Sequence, residues 1–221
     1  MWKLLRQSVQ VSFRWLSFPF ASAKCSAFDW ALPSILIMSW YNRIMKIINE
    51  KDLDQYKDDD YVWYACYGSN INRDRFMYYI NGDKTGQYSE VDGCVVKEEP
   101  VEERAYIFDC PIYFAGDSKR WHGGAAFLDY ENKGKSYGKI YKIKMSQFKG
   151  VLKQEQKSKF YDVVLFVDDI DGCPVLSFTA HHKYKSRLNQ PSLKYVEVIE
   201  KGLLGLFDMD SNQIRDYLRN K

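Results

Sequence analysis

The sequence predicts an α+β fold, a compact mixed β-sheet barrel with flanking helices. Three observations lead to this prediction. Short runs of aromatic and β-branched residues, typical of strands, recur along the chain. A few segments with apolar residues at helical spacing lie between or after these runs. The predicted strands outnumber the predicted helices, which is the composition of a small sheet covered by helices at its edges.

The first predicted strand is Tyr61–Tyr67, which is dense in aromatic residues and stops at the turn residues Gly68-Ser69-Asn70. The other strands are bounded by clusters of Gly, Pro, Asp and Asn, which mark turns. They are predicted at Tyr106–Phe114 with an interruption at Pro111, Ala125–Asp129, Tyr137–Ile143, Tyr161–Val167 and Pro174–Ala180. Residues Glu131–Lys135 are predicted to form a hairpin turn.

Helices are predicted from apolar residues at three- and four-residue spacing. They cover Asn72–Ile80, Met145–Gln156, Leu193–Gly205 and Ser211–Arg219. Ser211 is the predicted N-cap of the last one. Between the first helix and the second strand, the polar stretch Lys84–Arg104 is predicted to be a long surface excursion.

Residues 1–60 are predicted to be an N-terminal leader and linker, and residues 61–221 to form one domain. Residues 1–45 hold five Lys and Arg against Asp29 alone, a net +4, and they contain many Trp, Ser and Phe. This resembles a transit peptide or a membrane-surface segment. The alternative is an over-extended start, since Met45-Lys46-Ile47 reads like an N-terminus. The apolar run Ala31–Met38 is too short to span a bilayer, which takes about 20 residues, so no stable membrane insertion is expected.

The remaining charge and the cysteines exclude several classes of function. The net charge of +3 leaves −1 for residues 46–221, so nothing in the charge predicts binding to nucleic acid. The five cysteines are widely spaced and form no Cys-x-x-Cys pair. They therefore predict reduced thiols in a cytoplasmic protein rather than a disulfide framework or a zinc site. No metal and no cofactor is expected.

Two turns and one glutamate are candidates for chemistry. The strand–turn–helix at Tyr67-Gly68-Ser69-Asn70 can present backbone amides and a helix N-terminus to an anion, although many such turns are plain connections. Trp121-His122-Gly123-Gly124 is a second glycine turn, whose ordinary interpretation is an indole packed over a tight bend. Glu155 lies in the predicted helix Met145–Gln156, where a single glutamate is usually solvated.

These elements, in this order, resemble the gamma-glutamylcyclotransferase-like family. The resemblance covers about residues 61–205, two-thirds of the chain. Its motifs are Tyr64-Ala65-Cys66-Tyr67-Gly68-Ser69-Asn70 with Arg75, Trp121-His122-Gly123-Gly124-Ala125-Ala126, Tyr137-Gly138-Lys139-Ile140-Tyr141 followed by Glu155 and Tyr161, and Pro191-Ser192 with Tyr195, Ile199 and Gly202. Around Glu155 the family usually has Leu-Asp-x-x-Glu-Gly, where this chain has Leu152-Lys153-Gln154-Glu155-Gln156.

The resemblance implies a metal-independent enzyme that turns the glutamyl part of a small gamma-glutamyl amide into 5-oxoproline. It implies that the loop Tyr67–Asn70 holds the glutamyl group through backbone amides and that Glu155 is the general acid and base. It further implies substrate-binding positions at Gly123, Gly124, Tyr161 and Tyr195. The amine half is open at this stage: a glutathione-like peptide, an amino acid or a polyamine.

The chemistry suits these residue types independently of the resemblance. A gamma-glutamyl substrate carries its own nucleophile, the α-amine, and the enzyme has to bring it to the γ-carbonyl. One carboxylate can take the proton from the ammonium and return it to the departing amine. Three alternatives stay open: a Cys66 nucleophile with His122, His181 or His182, a metal site of His181, His182 and Cys173, and a binding module without turnover.

Overall fold

The computed structural model describes residues 45–83, 85 and 91–221, which all belong to one compact unit. Residues 1–44 of the predicted leader and residues 84 and 86–90 of the predicted excursion lie outside the described residues. Within the described part of the chain, none of the helices combines the length and the apolarity that crossing a bilayer requires.

The strands alternate with a few helices, as the sequence predicts. The strands are β1 (Lys46–Ile48), β2 (Tyr61–Cys66), β3 (Glu102–Phe108), β4 (Ile112–Ser118), β5 (Gly123–Leu128), β6 (Ser136–Lys144), β7 (Val163–Ile170) and β8 (Cys173–Thr179). The α-helices are α1 (Arg73–Asn81), α2 (Met145–Gln156), α3 (Leu193–Leu203) and α4 (Ser211–Arg219). Short 3-10 helices cover Glu50–Gln55, Ser69–Ile71 and His182–Arg187.

The described strands form a mixed six-stranded sheet and a separate two-stranded sheet. The large sheet has the order β1-β7-β8-β2-β6-β3, and β4 pairs with β5. Strands β2 and β8 are parallel, whereas the other neighbours are antiparallel. Because β1 and β3 remain at opposite edges, the large sheet is open and does not close into the predicted barrel. The predicted α+β class with a mixed sheet and flanking helices is confirmed.

Strand β2 lies in the middle of the large sheet and anchors the helices that carry the site. Its residues Val62–Cys66 are all buried, because β8 and β6 pair with it on either side and both faces are covered. The Tyr64 ring contacts Phe76 of α1 and Phe148 of α2, at centroid distances of 5.6 and 6.0 Å. These aromatic contacts hold α1 and α2 against the same strand.

The folded unit begins before Tyr61, where the sequence interpretation placed the start of the domain. Strand β1 pairs with β7 through Ile47 and Leu165, and the 3-10 helix that follows it buries Leu53. The amide of Met145 donates to the Asp60 carbonyl at 2.8 Å, so the stretch assigned to a linker caps the start of α2. A three-residue strand has no detectable periodicity, which explains why it was missed.

Two local predictions are wrong. The N-cap of α4 is Asp210 rather than Ser211, because the Asp210 carboxylate accepts from the Gln213 amide at 2.9 Å. The segment Glu131–Lys135 does not close a hairpin, because the strands on either side of it, β5 and β6, lie in different sheets.

Candidate active site

The floor of the candidate site is the turn that follows β2. Gly68 leads into the 3-10 helix Ser69–Ile71, and Asn72 then caps α1 by accepting from the Arg75 amide at 3.1 Å. Gly68 has a negative φ, so its backbone does not require glycine. Space requires it instead: a Cβ at Gly68 would lie 2.8 Å from the hydroxyl oxygen of Tyr195.

Glu155 lies half-buried near the end of α2, beside this turn. The Asn70 side-chain amide donates to its Oε1 at 3.2 Å and to the Tyr64 hydroxyl at 3.0 Å. Asn70 and Tyr64 are both buried. Both N–H groups of the Asn70 amide therefore donate hydrogen bonds. These bonds hold the Asn70 side chain in one orientation, and the side chain in turn holds the Glu155 carboxylate against the turn.

Two tyrosines are held over the turn by the backbone of β5. The Tyr161 hydroxyl donates to the Ala126 carbonyl at 3.3 Å, and the Ala126 amide donates to the Tyr195 hydroxyl at 3.4 Å. Burial raises the pKa of Tyr161 and Tyr195, as it does for Tyr64. All three are therefore neutral hydroxyls at neutral pH.

These groups line one small inner pocket. Its residues are Tyr64, Cys66, Tyr67, Gly68, Ser69, Asn70, Arg120, Trp121, Glu155, Tyr161, Phe178 and Tyr195. About 40 Å³ of it admits the centre of a water-sized sphere, which is room for about three water molecules. The pocket therefore accommodates the head of a small polar group rather than a whole peptide.

A wider outer groove adjoins the inner pocket and shares part of its wall. The corresponding volume of the outer groove is about 660 Å³. The shared residues are Arg120, Trp121, Glu155 and Tyr161. The rest of the groove is lined largely by polar and basic side chains, among them Lys119, Lys157 and Lys159. Glu155 thus stands at the boundary between a tight inner pocket and an open groove.

Comparison with solved structures identifies the fold. The described architecture is similar to YkqA from Bacillus subtilis, with 20% identity, 76% of this chain and 57% of that chain covered, and a TM-score of 0.51. Lower TM-scores of 0.46 and 0.42 relate it to a gamma-glutamyl cyclotransferase, 18% identical over 73% of this chain and 100% of that one, and to a yeast gamma-glutamyl cyclotransferase specific to glutathione, 10% identical over 72% and 96%. The likeness to YkqA decides the fold. The chain has a gamma-glutamylcyclotransferase-type fold. At 20% identity the likeness shows the fold alone.

Comparison by sequence adds one partial match. No protein-family model matches the chain. Histone deacetylase 5 of Arabidopsis thaliana is 33% identical over an alignment of 99 residues that covers 42% of this chain and 15% of that protein. A stretch of that size does not transfer the activity in the name.

Within this gamma-glutamylcyclotransferase-type fold, most of the predicted site residues meet in the inner pocket. Those that meet are Tyr67, Gly68, Ser69, Asn70, Glu155, Tyr161 and Tyr195. Gly123 and Gly124 do not line it. Their missing Cβ atoms let β5 pack against the loop before α3: a Cβ at Gly124 would lie 2.0 Å from the Asn189 carbonyl oxygen, and one at Gly123 2.8 Å from that of Gln190.

Five residues of the pocket wall were not among the predicted catalytic and substrate-binding residues: Tyr64, Cys66, Arg120, Trp121 and Phe178. The Trp121 ring stacks on Tyr195 at a centroid distance of 4.7 Å, so the indole belongs to the site rather than to a plain turn. Arg120 lines both cavities and donates from Nη1 to the Tyr79 hydroxyl at 2.5 Å. In the sequence, the position of Arg120 directly before Trp121-His122-Gly123-Gly124 is the one feature that could have pointed to it.

The geometry disfavours the Cys66 nucleophile, whereas the metal alternative includes His182, whose side chain lies outside those that the structure describes. The Cys66 thiol is buried and donates to the Lys139 carbonyl at 3.3 Å, and burial raises its pKa, which disfavours a thiolate nucleophile. His122, one of its suggested partners, is exposed and is not a lining residue of either cavity. Among the described residues there is no group of three or more His, Cys, Asp and Glu side chains placed to hold a metal ion.

Proposed function

We propose that this protein is a gamma-glutamylcyclotransferase-type enzyme that converts a gamma-glutamyl amide into 5-oxoproline and a free amine. The observation that carries the proposal is the position of Glu155. Of the described residues lining the inner pocket, it is the one carboxylate, and burial raises the pKa of the competing bases Cys66, Tyr161 and Tyr195. Glu155 is therefore the proposed proton acceptor of this pocket.

The proposed reaction needs one base and an oriented substrate. Glu155 takes a proton from the α-ammonium, and the freed amine attacks the γ-carbonyl carbon, forming the C–N bond of the five-membered ring. The carbonyl oxygen becomes an oxyanion. When that intermediate collapses, the amide C–N bond breaks and Glu155 returns its proton to the departing nitrogen. Glu155 then takes the second proton of the ring nitrogen and passes it to the released amine, which leaves as an ammonium beside 5-oxoproline. Holding the amine and the carbonyl together supplies much of the acceleration, because the two groups belong to one molecule.

The turn after β2 is proposed to bind the glutamyl group through its backbone. The Ser69 amide is already directed at the Tyr195 hydroxyl. The neighbouring amides of Gly68 and Asn70 are thus the candidate donors to a carboxylate or to the oxyanion. Tyr161 and Tyr195 are proposed to orient the substrate. Gly123 and Gly124 act indirectly in this proposal, by allowing β5 to place Ala126 under both tyrosines.

The outer groove is proposed to receive the amine half. The inner pocket is too small for a complete gamma-glutamyl amide, whereas the groove adjoins it at Glu155, where the scissile bond must lie. In this arrangement the leaving amine departs into the groove without crossing the glutamyl site. The cytoplasmic location and the independence from metals and cofactors stay predictions.

The main competing function is a binding module that keeps the fold without turnover, motivated by the unusual neighbours of Glu155. The structure accounts for those neighbours without involving the pocket. Counted back from Glu155, the Asp position of the usual pattern falls on Leu152, which is buried in the core, and Gln156 donates to Glu50 of the preceding 3-10 helix. Neither residue lines the inner pocket. Their departure from the usual pattern therefore leaves the proposed chemistry intact, which favours an enzyme.

The test is release of 5-oxoproline from a panel that contains gamma-glutamyl-alanine, glutathione and a gamma-glutamyl polyamine, with Glu155→Gln as the matched control. An enzyme releases 5-oxoproline from at least one member, and the control does not. Binding of the panel, measured by calorimetry, without any product from the wild-type protein would establish the binding module instead.

A further inference from the structure

Arg120 lies where the inner pocket and the outer groove meet, and it is tied to Glu155 through one intermediate group. The Arg120 guanidinium donates to the Tyr79 hydroxyl at 2.5 Å. The pKa of Tyr79 is raised, first by burial and then by the negative charge of Glu155, which its hydroxyl faces. A phenol has one proton, and since Tyr79 accepts from Arg120, it can donate that proton to Glu155.

The arrangement brings a positive charge near the carboxylate without a direct ion pair. The hydrogen bond of Arg120 goes to Tyr79, whereas Glu155 acts on it through charge alone. A direct, two-pronged pair with the guanidinium would occupy the carboxylate oxygens that a base needs. The Tyr79 hydroxyl leaves one side of the carboxylate open to substrate.

Tyr79 is held rigidly enough to serve as such a link. Its side chain is fully buried, and the Arg75 guanidinium lies 4.4 Å from the centre of its ring. The Gln154 side chain donates to the Tyr79 carbonyl at 3.0 Å, and Gln154 directly precedes Glu155 in α2. This bond fixes the backbone of Tyr79 to the residue next to Glu155.

We infer that Arg120 and Tyr79 are positioning residues, which hold the Glu155 carboxylate in its reactive orientation. This inference rests on the proposed role of Glu155. The neutral groups around Glu155 include the Asn70 amide and hydroxyls whose pKa is raised by burial, on Tyr64, Tyr67, Tyr161 and Tyr195. A second positive charge in this cluster is the Arg75 guanidinium of α1, which lies 4.4 Å from the centre of the Tyr79 ring. Two lysines, Lys153 and Lys157, lie on or just after its own helix and are exposed.

Kinetics of Arg120→Gln, Tyr79→Phe and the double variant test the link. We expect kcat to fall by about ten- to a hundredfold in each single variant, the scale of a misplaced catalytic group, while KM changes less than about threefold. Because the two residues act in series, the double variant should be no slower than the slower single one. Arg120→Lys, which keeps a charge and donors, should recover part of the rate. Tyr217→Phe, which removes a hydroxyl that accepts the Tyr137 amide, is the matched control.

A second measurement does not depend on turnover. The side-chain carboxyl of Glu155, labelled with ¹³C and assigned with Glu155→Gln, is titrated by NMR in the intact protein. In Arg120→Gln the midpoint should move to higher pH by about one pH unit, because a positive charge that lines the same two cavities as Glu155 has gone. Tyr217→Phe should leave it unchanged.

The outcomes separate the two proposals. A non-additive loss of kcat together with the shifted midpoint supports the inference. Additive losses, a change in KM alone, or an unmoved midpoint in Arg120→Gln would overturn it while leaving the cyclotransferase proposal in place. If the wild-type protein releases no 5-oxoproline, that proposal fails, and the NMR midpoint alone decides whether Arg120 acts on Glu155.

Discussion

The turn at Gly68 and the predicted turn at Gly123–Gly124, whose glycines begin strand β5 in the structure, look alike in the sequence, yet they have different roles. Each places glycine beside a buried strand and a large aromatic residue. At Gly68 the space left by the missing Cβ is filled by the tip of a side chain, the Tyr195 hydroxyl, inside a pocket. At Gly124 it is filled by the Asn189 backbone. A glycine whose free space opens into a pocket can contact a ligand, whereas a glycine packed against backbone only allows two segments to pack closely.

The largest expected effect tests whether the inner pocket beside Gly68 is a catalytic site. Glu155→Gln keeps the shape and the hydrogen bond to Asn70, but it cannot take a proton from the substrate. We expect kcat to fall by about a hundredfold to ten-thousandfold, with little change in glutamyl binding, measured by 5-oxoproline release and by calorimetry. A folded variant within about threefold of the wild-type rate would mean that another group handles the protons.

The next effect tests the turn itself. Gly68→Val places two methyl groups against the Tyr195 hydroxyl and the inner pocket, so we expect kcat/KM to fall by about a hundredfold, as for a substrate displaced by an ångström. Ser69→Ala keeps the backbone amide and should cost less than about threefold. Thermal melting should show both variants folded. Equal tolerance of the two changes would make the turn an ordinary connection.

The other turn should respond in stability rather than in chemistry. Gly124→Ala forces a Cβ to within 2.0 Å of the Asn189 carbonyl oxygen unless the backbone moves. Overpacking of this kind costs about 1–3 kcal/mol, which lowers Tm by roughly 3–10 °C in a protein of this size. We expect kcat of the folded fraction to fall less than about tenfold. A loss of kcat with Tm unchanged would place Gly124 in the site after all.

Truncation tests where the folded unit begins. Removing residues 1–44 leaves β1 and every other described element in place, so Tm and any activity should stay unchanged. Removing residues 1–60 deletes β1, the 3-10 helix Glu50–Gln55 and the Asp60 carbonyl that receives the Met145 amide. That variant should melt lower and lose soluble yield. If both truncations melted like the full chain, residues 45–60 would contribute nothing to stability.

The smallest expected effect is none at all. Because the proposed mechanism uses no metal ion, dialysis against a strong chelator should leave 5-oxoproline release unchanged. Loss of activity that one added divalent ion restores would contradict the metal-independent mechanism proposed for Glu155.

The order of motifs was enough to predict the inner pocket but not all of its wall. The turn Tyr67–Asn70 and Glu155 are 85 residues apart at their contact, yet the resemblance to a known family connected them, and the structure places them 3.2 Å apart. Arg120 and Tyr79 have no such signal. An arginine before a turn and a tyrosine in a helix are common in any soluble protein, and only their contact makes them notable.

The sequence by itself determined the α+β class, the bounds of α2 and, within a few residues, those of most strands and helices, because burial and turn chemistry repeat with local periods. Tertiary structure decided what depends on partners far along the chain. It left the sheet open, added β1 through pairing with β7, and placed β5 and β6 in different sheets. It also separated the two glycine turns, since what fills the space beside a glycine comes from elsewhere in the chain: Tyr195 at one turn and Asn189 at the other.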